Sequence, residues 1–328
     1  MIDELTLVLR PVLGDDVDVA NLRPLTGGAS RITYAFDAVT GTTRRPLILR
    51  TAPTAEGQFA SMELEAAVQS AAAQSSAPVP HILTASNSPA ALGNPYLICD
   101  EIAGETIVRK IQRQLDDAGR ARLLTQCAQA LAAIHRATTD AAELRERDEF
   151  VEWRQRLDDL DDTTATFEWA FRWLEANQPD PGPRTLTHGD FRMGNLIVDG
   201  LGPSSSPAGP TLAAVLDWEA VHIGDVHEDL AWFCVRAWRF GAPASMAAGG
   251  LGTIEEFLSA YEHAGGAAVD RDALRWWLVL GTLKWGIICR YQAQRHLSGQ
   301  TRSVELAAIG RRVCETEWDV LDLLEETP

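Results

Sequence analysis

Lysine is nearly missing from this chain. Only Lys110 and Lys284 occur among the 29 Lys and Arg of 328 residues, and the first hundred residues hold none. Set against 46 Asp and Glu, the shortage gives a formal charge of −17, which argues against broad contact with nucleic-acid phosphates. Such a field is compatible with a cationic small substrate without demanding one. Cysteine is sparse as well: Cys99, Cys127, Cys234, Cys289 and Cys314 are scattered and form no C-x-x-C pair, so free thiols in a reducing cytoplasm are expected. A membrane-length apolar run is also lacking. The longest candidate, "WWLVLGTLKWGIIC" at 276–289, is short for a span and carries Lys284, so it reads as a buried core helix. The opening "MIDELTLVLRPVLG" bears acids where a secretory signal bears basic residues.

What is present divides unevenly. The length exceeds the usual size of a single core, which predicts two lobes. Residues 22–51 alternate in "ITYAFDAV", turn at "TGTTRRP" and continue in "LILRT", the pattern of a three-strand meander. The Ala-rich "FASMELEAAVQSAAAQ" at 59–74 has helical spacing and stops at "SSAPVP", and "PYLICDEIAG" at 95–104 reads as one more buried strand. A small sheet with one helix is therefore expected in a lobe over 1–100. A mostly helical lobe over 101–328 should follow, holding all ten tryptophans beyond residue 150. Within it Leu123, Leu124, Cys127, Ala130, Leu131 and Ile134 mark one helix face. The helical reading is interrupted at 186–219, where "LIVD" and "LAAVLDWE" form two short strands around the loop "GLGPSSSPAGP".

The mouth of that hairpin concentrates reactive residues. In "LTHGDFRMGNLIVD", Asp190 and Asn195 stand in a D-x-x-x-x-N spacing, and Asp217 of "VLDWE" ends the second strand. Phosphoryl transfer needs a carboxylate to orient and deprotonate a hydroxyl, with an amide oxygen and a second carboxylate to hold magnesium on the phosphates. Either motif alone is an ordinary turn or strand end; the ordered pair after a β-rich lobe is much more specific. His188, His222 and His227 fit no zinc spacing.

"LTHGDFRMGNLIVD" and "VLDWEAVHIGDVHEDLAW" resemble the aminoglycoside phosphotransferase and choline kinase-like family, over nearly the whole chain. The C-terminal "YQAQRHLSGQTRSVELAAIGRRVCETEWDVL" resembles the phosphotransferase branch related to the kinase domain of acyl-CoA dehydrogenase fusion proteins. The resemblance implies an α+β, two-lobed protein-kinase-like fold and a small-molecule kinase using ATP, with GTP left open, and Mg2+. It implies Asp190 as the base, Asn195 and Asp217 as magnesium ligands, and His188 as a brace of the loop. Gly189 and Gly194 would relieve a tight backbone. Asp229 would brace the following helix and Asp225 would face the substrate, with a structural role open for both. Val226 departs from the proline usual in that segment.

The small lobe should supply the nucleotide contacts. Gly27, Gly28 and Ser30 in "LTGGASRITYAF" would approach the phosphates, although a plain hairpin uses the same residues. With no strand lysine, Arg50 of "PLILR" is the expected substitute, since a guanidinium keeps the charge and offers a fork to phosphate oxygens. Its expected partner is a helix glutamate: the resemblance favours the register of Glu65, and Glu63, two positions away on a different face, is left open. Asp100, Glu101 and Ile102 of "LICDEIAG" would form the adenine-binding hinge. Trp169 and Trp173, one turn apart and following Trp153, form either an aromatic wall for the acceptor or a core stripe. The acids Asp158, Asp159, Asp161 and Asp162 fit either a cationic antibiotic or a solvated helix end. The acceptor is a hydroxyl of a small molecule: a hydroxyacyl-CoA or similar metabolite, or an aminoglycoside. A non-catalytic nucleotide-binding protein is the remaining alternative.

Overall fold

The first hundred residues fold around one antiparallel sheet in the computed structural model, which describes residues 1–25, 31–51, 61–202 and 209–325. After helix α1 (Ile2–Leu13), strands β1 (Val17–Leu25), β2 (Ile32–Thr40) and β3 (Thr43–Thr51) form the expected meander. Thr40 faces Thr43 across a two-residue turn, and Gly41 at φ 59° supplies the left-handed backbone there. Helix α2 (Met62–Gln74) follows, started by Ser61, whose hydroxyl accepts from the Leu64 N–H. Strands β4 (Ile82–Ser86) and β5 (Tyr96–Asp100) complete the order β1-β2-β3-β5-β4.

The described residues of this region form two helices where the sequence predicts one. Leu5 and Leu9 of α1, an i, i+4 pair, are fully buried with Val17, Phe36, Leu47, Leu49 and Ile98, so α1 closes the face of the sheet that the meander leaves apolar. Strand β4 was also not expected; its five residues alternate too briefly to stand out.

Beyond residue 100 come α3 (Val108–Gln114), α4 (Asp117–Arg136), α5 (Glu149–Asp159) and α6 (Ala165–Ala176). Two antiparallel ribbons follow. Strand β6 (Arg184–Thr187) pairs with β9 (His222–Asp225), and β7 (Leu196–Asp199) pairs with β8 (Thr211–Val215). The second ribbon is the predicted hairpin; the first brackets it and was not foreseen. Helices α7 (Val226–Cys234), α8 (Ile254–His263), α9 (Arg271–Leu297), α10 (Val304–Gly310) and α11 (Val313–Glu325) complete the chain.

The helical face read from Leu123 to Ile134 packs α4 against Phe191, Met193 and Leu196 beneath the ribbons. The 276–289 segment lies inside α9, where Trp276, Val279, Leu280, Leu283 and Ile287 meet Phe167, Phe171 and Leu174 of α6 and Val320 of α11. No helix among the described residues is long and apolar enough to cross a membrane. All five cysteines are free thiols, four of them buried.

Candidate functional site

The loop after β6 is shaped by groups that hold its backbone. Gly189 has φ 79°, and a Cβ there would lie 2.6 Å from the Ala220 carbonyl oxygen, so only glycine fits. The N–H groups of His188 and Gly189 donate to the two oxygens of Asp229, at 2.7 and 2.9 Å. Asp229 is fully buried on the first turn of α7 and also receives His135 Nε2 at 3.3 Å. Burial alone would raise its carboxyl, but the His135 hydrogen bond and the loop donors hold it below the usual carboxylate range. Asp229 thus braces the loop rather than the helix that carries it.

His188 is a brace as well. Its Nδ1 accepts from the Asp190 N–H at 3.2 Å, which leaves Nε2 to donate to the Leu216 carbonyl at 3.1 Å. Burial pushes its pKa down, so the ring is the neutral tautomer that these two bonds require.

Asp190 stands at the end of this brace, its carboxylate partly open to solvent. One oxygen accepts from Trp232 Nε1 at 2.7 Å and Arg192 Nε at 2.9 Å, and the other from Asn195 Nδ2 at 2.7 Å. Its orientation is therefore fixed by three side chains. The Leu216 N–H donates to the Asn195 carbonyl at 2.8 Å, so the hairpin brings Asn195 beside the residue preceding Asp217.

Asp217 has a left-handed backbone, φ 68°, uncommon for a non-glycine residue. Its Oδ1 accepts from Arg50 Nη2 at 3.1 Å, and Arg50 Nη1 donates to Glu65 at 2.9 Å. Glu65 is fully buried and also bonds Arg31, whose Nε lies 3.5 Å from Glu219. Burial opposes the Arg50 charge, yet Glu65, Asp217 and Glu219 outweigh it and keep the guanidinium above its ordinary value. Burial pushes Glu65 up, and the two guanidiniums offset only part of that rise. Glu63 faces elsewhere and accepts from the Asn87 backbone and amide at 3.0 and 3.2 Å.

The donor set suits a hard cation. Asn195 Oδ1 and Asp217 Oδ2 accept no hydrogen bond from the described residues, and an amide and a carboxylate oxygen are the ligands that magnesium takes.

The hinge residues diverge. Asp100 is held by Arg45 at 2.6 and 3.0 Å, and Glu101 lies 3.5 Å from Arg23. The Asp100 and Glu101 N–H groups bond the carbonyls of His81 and Pro46 at 3.0 Å each. The Ile102 N–H has no partner among the described residues. Gly27, Gly28 and Ser30 lie outside the described residues.

Several contacts around the loop gave no signal in sequence. Lys284, in the apolar run of α9, is buried with its ammonium 2.8 Å from Glu149 and 3.6 Å from Glu228. The same ammonium is 3.4 Å from the Gly189 carbonyl and 4.9 Å from the centre of the Trp232 ring. Glu149, His222 and Glu228 converge closely enough to hold a metal, but the Lys284 ammonium already pairs with both carboxylates. Of the two roles open for Asp225, the structural one is observed, with the side chain turned inward. It caps α7 at the His227 N–H (2.9 Å) and accepts from the Gly182 N–H (2.7 Å).

Of the aromatic candidates, Trp153 is buried with Nε1 on Glu149 at 2.7 Å, and Trp173 packs in the α6–α9 core beneath Arg275. Trp169 is exposed, so Trp169 and Trp173 form no common wall. Asp158 and Asp162 pair with Arg154 and Arg290, and Asp159 accepts from Gln155 at 2.8 Å.

The profile of the phosphotransferase enzyme family matches residues 21–277. The chain belongs to that family. The match takes in both the sheet that carries Arg50 and the ribbons that carry Asp190 and Asp217. Among curated proteins, mouse acyl-CoA dehydrogenase family member 10 is 24% identical over 299 residues. The alignment covers 84% of this chain and 27% of that relative, so this family member spans about a quarter of it. A Ralstonia eutropha protein assigned as an aminoglycoside phosphotransferase superposes with a TM-score of 0.76 at 20% identity, covering 98% of each chain. The amicoumacin kinase hAmiN, solved with AMP-PNP, Ca2+ and Ami, superposes at 0.63 with 12% identity, covering 98% of this chain and 93% of its own. The fold is therefore the two-lobed protein-kinase-like one, a five-stranded antiparallel sheet followed by a mostly helical lobe.

Proposed function

We propose that this family member transfers the γ-phosphate of ATP, or of GTP, to a hydroxyl of a small molecule in a reducing cytoplasm. The observation that carries this reading is the Asp190 carboxylate, fixed by Trp232, Arg192 and Asn195 beside a hairpin whose Asn195 and Asp217 keep ligand oxygens free. Asp190 orients the acceptor hydroxyl and takes its proton as the oxygen attacks phosphorus. The new O–P bond forms in line with the breaking bond to the β-phosphate oxygen, and the nucleoside diphosphate leaves. Asn195 and Asp217 would hold magnesium, which would supply charge neutralisation on the phosphates when bound. Arg50 serves as the cation of the strand, kept in place by Glu65, and the sheet over 1–100 with the Ile102 N–H receives the nucleotide.

The test is Asp190→Asn, which preserves shape and removes the base. Turnover should fall by about 10²–10⁴, while Mg-ATP affinity stays within about twofold of wild type because the phosphate contacts are untouched. Comparable turnover by the variant would remove Asp190 from the reaction. Nucleotide binding without phosphate transfer, across a broad acceptor panel, would favour the non-catalytic alternative.

A further inference from the structure

One of the chain's two lysines, Lys284, lies in the interior on α9, flanked by the buried Leu283 and Ile287. Burial opposes its charge, but Glu149, Glu228 and then Asp190 hold the ammonium above the ordinary lysine value. A buried ion pair often stabilises a fold no better than well-packed apolar side chains of the same volume. The contacts that Lys284 makes beyond Glu149 and Glu228 set it apart from a plain pair.

Those contacts reach Asp190 from two sides. Glu228 and Trp232 are four residues apart on α7 and share a face, and the Lys284 ammonium meets both. It is 3.6 Å from Glu228 and 4.9 Å from the centre of the Trp232 ring, near enough for attraction to the ring face. Nε1 of the same indole donates to Asp190 at 2.7 Å. The cation thus holds the plane of the ring whose edge holds the carboxylate, and it polarises that N–H as a donor.

On the other side, the ammonium lies 3.4 Å from the Gly189 carbonyl, which belongs to the peptide that carries the Asp190 N–H. That N–H donates to His188 Nδ1 at 3.2 Å, and the His188 and Gly189 N–H groups donate to Asp229. His188 and Asp229 therefore fix the donors of the loop backbone, and Lys284 fixes the carbonyl next to the base.

We propose that Lys284 is a positioning residue for the base of the reaction, its ammonium orienting Asp190 through the Trp232 ring and the Gly189 carbonyl. The inference rests on the phosphotransferase reading above. Lys284 has no hydrogen bond or ion pair with Asn195, Asp217 or Arg50 among the described residues, so its loss should disturb the base and spare the nucleotide.

The experiment is a 1H–15N correlation spectrum of the tryptophan indoles, recorded on the full chain at neutral pH. The Trp232 signal is identified by its loss in Trp232→Phe. It should shift in Asp190→Asn, which alters the bond it reports, and shift toward a solvated indole in Lys284→Met/Glu149→Gln. In Glu149→Gln alone the new amide still accepts from the ammonium and Glu228 still balances it. The Trp153 signal should then move, because its Nε1 donates to Glu149, while that of Trp232 stays near its wild-type position. A Trp232 signal that is unmoved in Asp190→Asn or in the double variant, or is moved as far by Glu149→Gln alone, would overturn the proposal. Should the double variant not fold, the ammonium itself gives the answer. With two lysines in the chain, 15N-lysine labelling leaves the Lys284 signal alone in Lys110→Arg, and adding Trp232→Phe or Asp190→Asn should shift it; constancy in both would overturn the proposal.

Mg-ATP separates this claim from the reading it rests on. Phosphate release with water as acceptor should fall by about tenfold or more in the double variant, with Mg-ATP affinity within about twofold of wild type; release at the wild-type rate would overturn the positioning role. Failure of the wild type to bind Mg-ATP would count against the phosphotransferase reading, whereas binding with an unmoved Trp232 signal would count against Lys284 alone.

Discussion

Arg50 and Asp217, 167 residues apart in sequence, meet at 3.1 Å. This contact ties the third strand of the sheet to the hairpin of the helical lobe. The same guanidinium holds buried Glu65 at 2.9 Å, so one side chain performs the tethering for which the chain has no lysine.

Replacing Arg50 should expose that double duty. Arg50→Ala leaves Arg31 as the sole guanidinium partner of buried Glu65, and breaking a buried pair costs about 3 kcal/mol. Arg50→Lys keeps the charge but not the fork, so it should fall between wild type and alanine. Urea denaturation measures both. An Arg50→Lys variant as stable as wild type would show that the fork geometry is dispensable.

Lys284 should matter to stability more than its place in an apolar run suggests. Lys284→Met strands Glu149 and Glu228 in the interior, with an expected loss of about 3–5 kcal/mol. Adding Glu149→Gln should recover part of that loss, because one uncompensated charge is gone. A double variant less stable than the single one by the full Glu149→Gln cost would show that the two residues do not interact.

The same cluster predicts an alkaline limit. Burial works against the His222 charge, but Glu228 and Glu149 hold its pKa up to about 9, above the ordinary 6.5 of a histidine. A raised folded-state value means that the contribution is fully present below pH 6.5 and is lost as pH rises through about 9. Denaturation midpoints should therefore fall between those values, by on the order of 2 kcal/mol in stability. His222→Gln should flatten that part of the profile. An unchanged profile in the variant would assign the alkaline loss to another group.

These residues also show where sequence reading reached and where it stopped. Asp190, Asn195 and Asp217 were legible because their spacing follows one hairpin, and Arg50 because a charged residue ends an apolar strand in a lobe without lysine. Side chains two apart on a helix point to different faces, so only one of Glu63 and Glu65 could meet Arg50, and the resemblance favours the register of Glu65, which the structure places there. Trp232 and Arg192, which fix the Asp190 carboxylate, carry no local mark of that role; α7 packing and a short turn bring them there. Lys284 correctly marked a core helix, but its partners lie on α5 and α7, contacts that no periodicity encodes. Asp225 leaves two roles open in sequence because a helix cap and a substrate contact both favour an aspartate before an apolar segment, and its bonds to the His227 and Gly182 N–H groups show the cap.

The most direct measurement is a calorimetric titration of ATP, with and without magnesium, into wild type and Asp217→Asn. The account predicts binding to wild type that requires magnesium and weakens by about tenfold or more in the variant. Equal magnesium-dependent affinity in both proteins, or no binding by the wild type, would contradict it.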